Sequence, residues 1–342
     1  MRAPPPDPKK DRPKRTAVLG ATGLVGRAML RLLADRPWVD QPPVALASSR
    51  SAGLELPFRD GSITCRAVGP DSFAGIGIAL FSAGGQASRA WGPVAAEAGA
   101  WVVDNSSAWR MTDGVPLVVP EINGRLVDGG AGGGIIANPN CSTIQIAMAV
   151  APLMARFGVA EVHVTTLQSV SGAGQRGVAE LERQAAGDGA ASVFPRTIAA
   201  NAIPAIGPGL EDGSFEEEAK VVRELRKILG RASLPVTCTA TRVPVVTGHA
   251  AALRVVCQRP VDLEDAAAAL RGWPGVELAD GPHGYATPRE IAGRTVCHVG
   301  RLRADGVDPR AVLLWVVADN LLKGAAWNAV QIADLVAGAR GA

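Results

Sequence analysis

The sequence predicts an α/β protein of two domains. We expect a doubly wound parallel sheet in the N-terminal half and an α+β domain with a mixed, largely antiparallel sheet after it. First, 342 residues are enough for two cores. Second, short apolar runs in the first half recur at intervals suited to a parallel sheet, and each ends in small or polar residues. Third, longer β-branched runs in the second half are separated by few helical patterns.

Composition excludes several classes of protein. The chain is 47% hydrophobic and 20% charged, as ordinary globular proteins are. A net charge of +3 with scattered basic residues indicates no nucleic-acid or anionic-membrane partner, and no uncharged apolar run reaches membrane-spanning length. Five cysteines at irregular spacing, without a CxxC pair, make structural zinc or a disulfide framework unexpected and favour the reducing cytoplasm.

The chain divides into three predicted segments. Residues 1–14 are rich in proline and basic side chains but lack an apolar core, and this composition predicts a disordered tail. Residues 15–140 are the predicted dinucleotide-binding domain, completed by a C-terminal helix within 320–342. Residues 141–319 are the predicted catalytic, substrate-binding and dimerisation domain.

A glycine-rich turn follows the first predicted strand, Thr16–Leu19, and precedes a helical pattern. Strand, turn and helix in this order form the first half of a Rossmann-type unit, in which glycines let the backbone approach a pyrophosphate at the helix N-terminus. The spacing is GxxGxxG rather than GxGxxG, so a purely structural turn is an alternative. The candidate cofactor residues here are Gly20, Thr22, Gly23, Leu24, Val25 and Gly26.

The residues at the end of the second predicted strand, Val44–Ala47, indicate whether the domain binds NAD or NADP. It runs into Ser48, Arg50 and Ser51, whereas an NAD site usually has an acidic residue there. Asp40 precedes the strand and should point elsewhere. Arg50 with its serines therefore favours the 2′-phosphate of NADP, and the alternative is an exposed loop arginine.

The remaining strands of the first domain are predicted from apolar runs. These are Ile76–Phe81, Trp101–Val103, Leu117–Val119 and Gly134–Ala137. Ligands of open α/β sheets bind outside the carboxyl ends of the strands, where Arg110 is a candidate for holding a phosphate or carboxylate. Arg110 could equally be a surface arginine that pairs with Asp113.

The second half contains five strand-like runs and two clear helical patterns. The runs are 162–170, 237–245, 251–257, 295–299 and 312–317. Residues 215–229 form an amphipathic pattern with Glu217 and Lys220 three positions apart. The Ala-rich pattern of 322–337 predicts a final helix that packs on the first domain.

Asn138–Thr143 lies between an apolar run and a helical pattern, so Cys141 is predicted at a helix N-terminus. Ser142 or Thr143 is placed to cap the first turn. Backbone N–H groups and the helix dipole favour a thiolate there, and the thiolate is the nucleophilic form. The alternative is a buried cysteine that only packs.

A thiol enzyme that acts on a carbonyl also needs a group that moves protons. His163 and His298 alternate inside strand patterns, where a structural imidazole is the default, and His283 lies in a turn. His249 closes the segment Arg242–His249, which carries a cation and an imidazole seven positions apart. His249 is therefore the candidate acid/base.

Seven motifs occur in an order that resembles the bacterial aspartate-semialdehyde dehydrogenases, from about Thr16 to Ala337. They are Gly20–Gly26, Ser48–Gly53, Asp104–Ser107, Asn138–Thr143, Gln168–Gly174, Arg242–His249 and Asp319–Ala326.

The resemblance implies a role for each matched residue. Cys141 would be the acyl-forming nucleophile, His249 the acid/base and Gln168 the group that orients the substrate. The implied substrate contacts are Arg242 for the carboxylate, Arg110 with Asn140 for phosphate, and Glu217 with Lys220 for the amino group and phosphate. The implied cofactor contacts include Ser171, Gly172 and Asn320 besides the glycine turn and the Ser48–Ser51 segment.

The resemblance also implies an activity: NADPH-dependent reduction of L-aspartyl 4-phosphate to L-aspartate 4-semialdehyde by a cytoplasmic homodimer, in the biosynthesis of lysine, threonine, methionine and isoleucine. An N-acetylglutamyl-phosphate reductase is one alternative, although that family has Pro-Gly-Cys-Tyr where this chain has Pro-Asn-Cys-Ser-Thr. A catalytically silent dinucleotide-binding paralogue is another, and the presence of both Cys141 and His249 disfavours it.

Overall fold

The computed structural model describes residues 15–127 and 133–338. The predicted tail, residues 1–14, lies outside the described residues. The strands are β1 (Thr16–Leu19), β2 (Val44–Ala47), β3 (Glu55–Phe58), β4 (Gly61–Thr64), β5 (Arg66–Ala67), β6 (Ile78–Phe81), β7 (Trp101–Asp104), β8 (Gly134–Ala137), β9 (Val159–Gln168), β10 (Val236–Arg242), β11 (His249–Cys257), β12 (Val276–Leu278), β13 (Cys297–Ala304) and β14 (Ala311–Ala318). The α-helices are α1 (Leu24–Ala34), α2 (Gly85–Glu97), α3 (Pro120–Asn123), α4 (Cys141–Phe157), α5 (Gln175–Ala185), α6 (Glu216–Ile228), α7 (Leu263–Arg271), α8 (Pro288–Ile291) and α9 (Trp327–Ala337).

The chain divides into two compact units, with boundaries between Pro139 and Asn140 and between Ala325 and Ala326. The N-terminal segment and α9 belong to the first unit, and everything between belongs to the second.

The first unit contains the predicted parallel sheet, in the order β5-β2-β1-β6-β7-β8. β1 pairs with β2 on one side and with β6 on the other, both in parallel. The chain thus reverses its direction of progress across the sheet at β1, which creates a crevice outside the carboxyl ends of β1 and β6.

One predicted strand of this unit is wrong. Leu117–Val119 does not form a strand, because pairing there is limited to a single parallel bridge from Leu117 to Ala137. The segment is buried and runs beside β8. Its residues are apolar because they pack in the core. The spacing of apolar residues along the chain cannot distinguish such a buried loop segment from a buried strand.

The second unit contains a mixed sheet in the order β10-β9-β11-β14-β13-β12. β9 pairs with β10 in parallel and with β11 antiparallel, and β12 pairs with β13 in parallel. The remaining two pairs are antiparallel, which confirms the predicted mixed sheet.

Helices α5 and α7 in this unit were not expected from the sequence. α7 is capped by Asp262, whose carboxylate accepts from the Asp265 N–H at 2.9 Å. Its buried positions are mostly alanines, Ala266 and Ala267 with Leu270, so the apolar signal was weak.

The predicted C-terminal helix has two parts. Leu322–Ala326 is a π-helical turn that belongs to the second unit, apart from its last residue, and α9 follows it in the first unit. α9 is anchored there by Asn328, whose Nδ2 donates to the Val118 carbonyl at 3.0 Å and to Asn138 Oδ1 at 2.7 Å. Within the two described ranges, no helix combines the length and the apolar character that a membrane span requires.

Candidate active site

Cys141 is the first residue of α4, as predicted, but the predicted cap was wrong. Asn140 caps the helix, because its Oδ1 accepts from the N–H groups of Ser142 at 2.9 Å and Thr143 at 3.3 Å. Asparagine is among the preferred N-cap residues, and the cap lies two positions before Ser142 and three before Thr143. Cys141 is therefore partly buried at the positive end of a 17-residue helix.

The Asn140 side chain and backbone are also held by helix α6. Its Nδ2 donates to Glu217 Oε1 at 2.8 Å, and its backbone N–H donates to Glu224 Oε2 at 2.6 Å. Glu217 and Glu224 are seven positions apart on one face of α6, and both are buried. Two carboxylates of one helix thus fix the residue that precedes the cysteine.

Strand register brings three predicted residues to one edge of the mixed sheet. Arg242 lies directly opposite Gln168 at the carboxyl ends of the parallel strands β10 and β9. His249 begins β11, which runs antiparallel to β9 with Ala250 opposite Leu167. Residues far apart in the chain, Gln168, Arg242 and His249, therefore lie at the same end of three adjacent strands.

His249 is fully buried, and its ring is held by the residue after Gln168. The Ser169 backbone N–H donates to His249 Nδ1 at 3.0 Å, and Ser169 Oγ lies 3.0 Å from the same nitrogen. His249 Nε2 has no hydrogen-bond partner among the described residues. Burial holds the pKa of His249 well below its usual value, and the Arg242 cation acts in the same direction.

Arg242 contacts the same residue that holds the histidine ring. Its Nη1 donates to the Ser169 carbonyl at 2.7 Å, whereas its buried Nε has no partner among the described residues. Burial lowers the pKa of Arg242, and the charges of Glu217 and Cys141 oppose that effect, which places both groups within electrostatic reach of the guanidinium.

Gly172 lies against both Arg242 and His249. A Cβ at this position would be 2.8 Å from Arg242 Nη1 and 3.1 Å from His249 Nε2, so any side chain would displace one of them. The absence of a side chain lets the Gly172 backbone lie against both groups.

Three residues predicted as cofactor contacts border His249 in the second unit. Asn320 Oδ1 accepts from the Gly248 N–H at 2.8 Å and from Ser169 Oγ at 3.1 Å, and its Nδ2 donates to Ser171 Oγ at 2.9 Å. Together with Gly172, Ser171 and Asn320 form the support of the imidazole. Their predicted contact with a cofactor stays a prediction.

The three glutamates in the first turn of α6 have different partners. Glu217 faces Asn140, whereas the Glu218 carboxylate accepts from the Ala240 N–H at 2.9 Å and from the Phe215 N–H at 2.7 Å. Lys220 Nζ lies 3.3 Å from Glu216 and 3.9 Å from Glu217 and is partly exposed. The structure therefore supports Glu217, rather than its neighbours, as the carboxylate beside Asn140.

The π-helical turn contacts the cysteine directly. A Cβ at Gly324 would lie 3.0 Å from Cys141 Cβ and 3.3 Å from its Cα and carbonyl oxygen. π-helical turns are frequent at functional sites. Gly324 thus lets this turn lie against the first residue of α4.

In the first unit, the glycine turn has the geometry of a dinucleotide cradle. Gly20 has φ 86°, and a Cβ there would lie 2.4 Å from the Ser82 carbonyl oxygen that follows β6. A Cβ at Gly26 would lie 2.1 Å from the Gly20 carbonyl oxygen, so helix α1 can pack on the turn only with glycine there. α1 begins at Leu24, beside the crevice between β1 and β6.

The other predicted residues of this unit lie at strand ends. Ser48 and Arg50 are exposed in a 3₁₀ turn that immediately follows β2, with Ser51 partly buried. Arg110 is 7% exposed, so it is a buried arginine and not the surface residue of the alternative. Its guanidinium donates to the carbonyls of Asn138 at 3.0 Å and Asn105 at 2.7 Å.

Sequence reasoning missed Ser169, Glu224 and Gly324 as parts of the site. Ser169 lies inside the Gln168–Gly174 motif, and Gly324 inside the Asp319–Ala326 motif, so both were visible but had no assigned role. The seven-residue spacing from Glu217 was the available signal for Glu224.

Two family models match the chain. Residues 15–129 match the NAD binding domain of semialdehyde dehydrogenases, and residues 150–323 match the semialdehyde dehydrogenase dimerisation domain.

Aspartate-semialdehyde dehydrogenases from several organisms are similar to this chain over nearly its full length. The aspartate-semialdehyde dehydrogenase of Aquifex aeolicus is 44% identical over 331 residues, with 94% of this chain and 97% of that protein covered. The Bacillus subtilis enzyme is 42% identical, with coverages of 93% and 96%. A crystal structure of the Vibrio cholerae aspartate semialdehyde dehydrogenase II complexed with ASA is 41% identical with a TM-score of 0.91, covering 95% of this chain and 98% of that one. On this evidence the chain belongs to the aspartate-semialdehyde dehydrogenase family of oxidoreductases, with an NAD(P)-binding parallel-sheet domain and a mixed-sheet dimerisation domain.

Proposed function

We propose that this protein catalyses the reversible, NADPH-dependent reductive dephosphorylation of L-aspartyl 4-phosphate to L-aspartate 4-semialdehyde through a thioester on Cys141. The observation that carries the proposal is the placement of Cys141 at the start of α4, together with that of Arg242 and His249 side by side against Gly172. The reaction would take place in the cytoplasm and supply the biosynthesis of lysine, threonine, methionine and isoleucine.

The chemistry begins with the Cys141 thiolate. The sulfur attacks the acyl carbon, phosphate leaves with its bonding electron pair, and a thioester remains. A thioester accepts hydride more readily than an oxygen ester does, and a thiolate leaves easily. The positive end of the α4 dipole lies at Cys141 and would stabilise the oxyanions that form there.

Substrate binding is assigned to charged and polar groups near Cys141. The Arg242 guanidinium, with its unpartnered Nε, would hold the α-carboxylate, and Gln168 on the adjacent strand would orient the acyl group. Glu217 would meet the substrate amino group, and Lys220 the phosphate. Arg110 in the first unit, with Asn140, would also bind phosphate; the Asn140 side chain is already engaged by α4 and Glu217.

The cofactor proposal rests on the first unit. The close approaches at Gly20 and Gly26 fit a pyrophosphate at the start of α1, and Arg50 with Ser48 follows β2, where the adenosine ribose would lie. NADPH, when bound, supplies the hydride. A Candida albicans aspartate semialdehyde dehydrogenase structure with NADP has a TM-score of 0.78 and 25% identity to this chain.

A direct assay tests the activity. The protein is incubated with aspartate semialdehyde, phosphate and NADP while NADPH absorbance is recorded, with N-acetylglutamate semialdehyde in a parallel reaction. Rapid NADPH formation with the first substrate alone is expected. A flat trace with an active control enzyme would remove the proposal, and activity with the second substrate would favour the N-acetylglutamyl-phosphate alternative.

Cys141→Ser should abolish turnover, because a serine hydroxyl is a much weaker nucleophile than a thiolate. The matched control is Cys238→Ala, since burial and the charges of Glu218 and Glu217 raise the pKa of the Cys238 thiol to about 12, which leaves it inert. Mass spectrometry with aspartate semialdehyde and NADP, without phosphate, should detect an acyl adduct on Cys141. Normal turnover in Cys141→Ser would contradict the thioester route.

Arg50→Ala should raise KM for NADP and leave KM for NAD nearly unchanged, because a 2′-phosphate loses its cation and a 2′-hydroxyl does not. Arg31→Ala, an exposed arginine on α1, is the control. Equal effects of Arg50→Ala on the two cofactors would show that Arg50 does not select NADP.

The match to a dimerisation domain supports a homodimer. Sedimentation equilibrium should give twice the mass of the 342-residue chain.

A further inference from the structure

Helix α5 carries two buried polar side chains that have no part in the proposed chemistry. Glu180 is 2% exposed and Gln184 is 6% exposed, and they lie one turn apart on the same face of the helix. No cation acts on the Glu180 carboxylate among the described residues. Burial of an unpaired charge is costly unless hydrogen bonds compensate, so this carboxylate depends on the donors around it.

The Glu180 carboxylate binds one short stretch of the chain, residues 192–194. Oε2 accepts from the backbone N–H of Ser192 at 3.0 Å, from the Ser192 hydroxyl and from the Val193 N–H, and Oε1 accepts from the Phe194 N–H at 3.3 Å. Burial raises the pKa of Glu180, but these hydrogen bonds together lower it below its ordinary value. The group that fixes this stretch is therefore an ionised carboxylate.

Gln184 holds the continuation of the same stretch. Its Oε1 accepts from the N–H groups of Ile198 at 2.8 Å and Ala199 at 3.1 Å, and its Nε2 donates to the Ala190 carbonyl at 3.1 Å. Two side chains of α5 thus bind the backbone on both sides of residues 195–197. Residues 192–203 are named the anchored segment for this reason.

The anchored segment contacts Arg242 at both its side chain and its backbone. The Cζ atom of Arg242 lies 5.9 Å from the centroid of the Phe194 ring, a distance at which a guanidinium and an aromatic ring attract each other. The Ile203 N–H donates to the Arg242 carbonyl at 2.9 Å, and the Arg242 N–H donates to the Ile203 carbonyl at 2.8 Å. Arg242 is therefore held by a segment whose other end is fixed on α5.

The Phe194 ring is itself held in place and covers the guanidinium. It packs in a buried cluster with Val170 and Leu181. Phe194 and Ile203 also line a cavity of about 890 Å³, whereas Arg242 is not among the described residues that line it. The ring therefore separates the Arg242 guanidinium from the water of this cavity.

We propose that Glu180 is a positioning residue for substrate binding: through the anchored segment it holds the Phe194 ring against the Arg242 guanidinium, which keeps one orientation for the substrate carboxylate. This inference rests on the proposed function, in which Arg242 binds that carboxylate. It adds to substrate binding two residues that lie outside the Arg242–His249 motif.

Steady-state kinetics of two variants test the proposal. Glu180→Gln places an amide group where a carboxylate oxygen now accepts N–H groups, and Phe194→Leu removes the ring but leaves Glu180 in place. Both variants should raise KM for aspartate semialdehyde by about 3–30-fold, the range expected for loss of a buried cation–π interaction. Since neither residue is placed among the reacting groups, kcat should change much less than KM. A fall in kcat at unchanged KM would overturn the proposal.

Each variant has a matched control. Glu182→Gln alters an exposed carboxylate of the same helix, and Phe157→Leu alters a buried ring at the far end of α4 from Cys141. Both controls should keep the KM of the wild type. Ser192→Ala removes one donor of the Glu180 carboxylate and should raise KM in the same direction by a smaller factor, so it tests the contact even if Glu180→Gln does not fold.

The double variant Glu180→Gln/Phe194→Leu tests whether Glu180 acts through Phe194. If it does, KM of the double variant should be no higher than that of the more affected single variant, because residues that act in one pathway are not additive. Effects that multiply would show two independent contributions and would overturn the positioning role.

Chemical modification of Arg242 provides a measurement without turnover. Phenylglyoxal reacts with accessible guanidinium groups, and peptide mass spectrometry identifies the arginine that is modified. Modification of Arg242 should be faster in Glu180→Gln and Phe194→Leu than in the wild type, Glu182→Gln and Phe157→Leu. An equal rate in all five proteins would show that the ring does not cover the guanidinium, which overturns the proposal.

Failure of this inference is distinguishable from failure of the proposed function. A wild-type enzyme without aspartate-semialdehyde activity refutes the function, whatever the modification rates show. An active enzyme whose KM is unchanged in Glu180→Gln and Phe194→Leu refutes the inference alone.

Discussion

At the scale of single residues, the Arg242 guanidinium binds a backbone carbonyl with one nitrogen and has a second nitrogen that could bind a ligand. Its Nη1 is used by the Ser169 carbonyl at 2.7 Å, which orients the guanidinium, while its Nε remains for a ligand. A planar fork can satisfy a backbone acceptor and a carboxylate at once, whereas an ammonium on a flexible stem cannot do so with the same geometry.

Arg242→Lys should therefore weaken substrate binding. Loss of one charged hydrogen bond of about 1.5–3 kcal/mol predicts a fall in kcat/KM for aspartate semialdehyde of about 10–10²-fold, mainly through KM. Steady-state kinetics provide the measurement, and Arg254→Lys, which alters a peripheral pair with Asp305, is the matched control. An unchanged KM would contradict the carboxylate role.

At the scale of elements, two helical segments hold Cys141 and the residue before it. Helix α6 holds Asn140 through Glu217 and Glu224, and the π-helical turn Leu322–Ala326 lies against Cys141 through Gly324. An ordinary α-helical continuation would place side chains differently. The π turn is thus part of the site and not only a connection to α9.

Gly324→Ala should lower kcat, because its Cβ would lie 3.0 Å from Cys141 Cβ and force the cysteine or the turn to move. Misplacement of a catalytic group by about 1 Å costs on the order of 10²-fold. Single-turnover rates and the rate of Cys141 alkylation are the measurements. Gly306→Ala, where a Cβ meets no atom within 4 Å, is the control. If both glycine variants behaved alike, the turn would have no positioning role.

At the scale of the whole molecule, burial of a neutral histidine couples stability to pH. The pKa of His249 is well below 6.5 in the folded protein, so on acidification the unfolded chain binds this proton first. Stability is therefore unaffected by this group above the unfolded pKa and falls as the pH drops below it. His298, whose pKa is also lowered, chiefly by burial, contributes with the same sign.

His249→Gln should reduce this acid sensitivity. Below about pH 6.5 the stability advantage of the wild type over the variant should shrink by about 1.4 kcal/mol per pH unit. Unfolding midpoints between pH 7.5 and pH 5.5, measured for both proteins and for His163→Gln as an exposed control, test this. Parallel curves for wild type and His249→Gln would mean that His249 is protonated in the folded protein.

Much of this molecule follows from local sequence patterns. The glycine turn, the position of Cys141 at a helix start, the amphipathic helix α6 and the two sheet types were all predictable, because each depends on neighbouring residues and their period. The errors have equally local causes. Asn140 was overlooked because the polar residues on both sides of Cys141 all suit a cap. Leu117–Val119 was predicted as a strand because a buried loop segment can be equally apolar.

Contacts between distant segments could not be obtained in this way. That Glu224 binds the Asn140 N–H, that Gly324 lies against Cys141 and that the Ser169 N–H meets His249 Nδ1 depend on strand order and register. The hydrogen bond to the His249 ring is the clearest case. Composition and spacing identify an imidazole at a strand end, but the peptide N–H that meets its Nδ1 comes from a residue 80 positions away, because hydrogen bonding responds to distance in space and not along the chain.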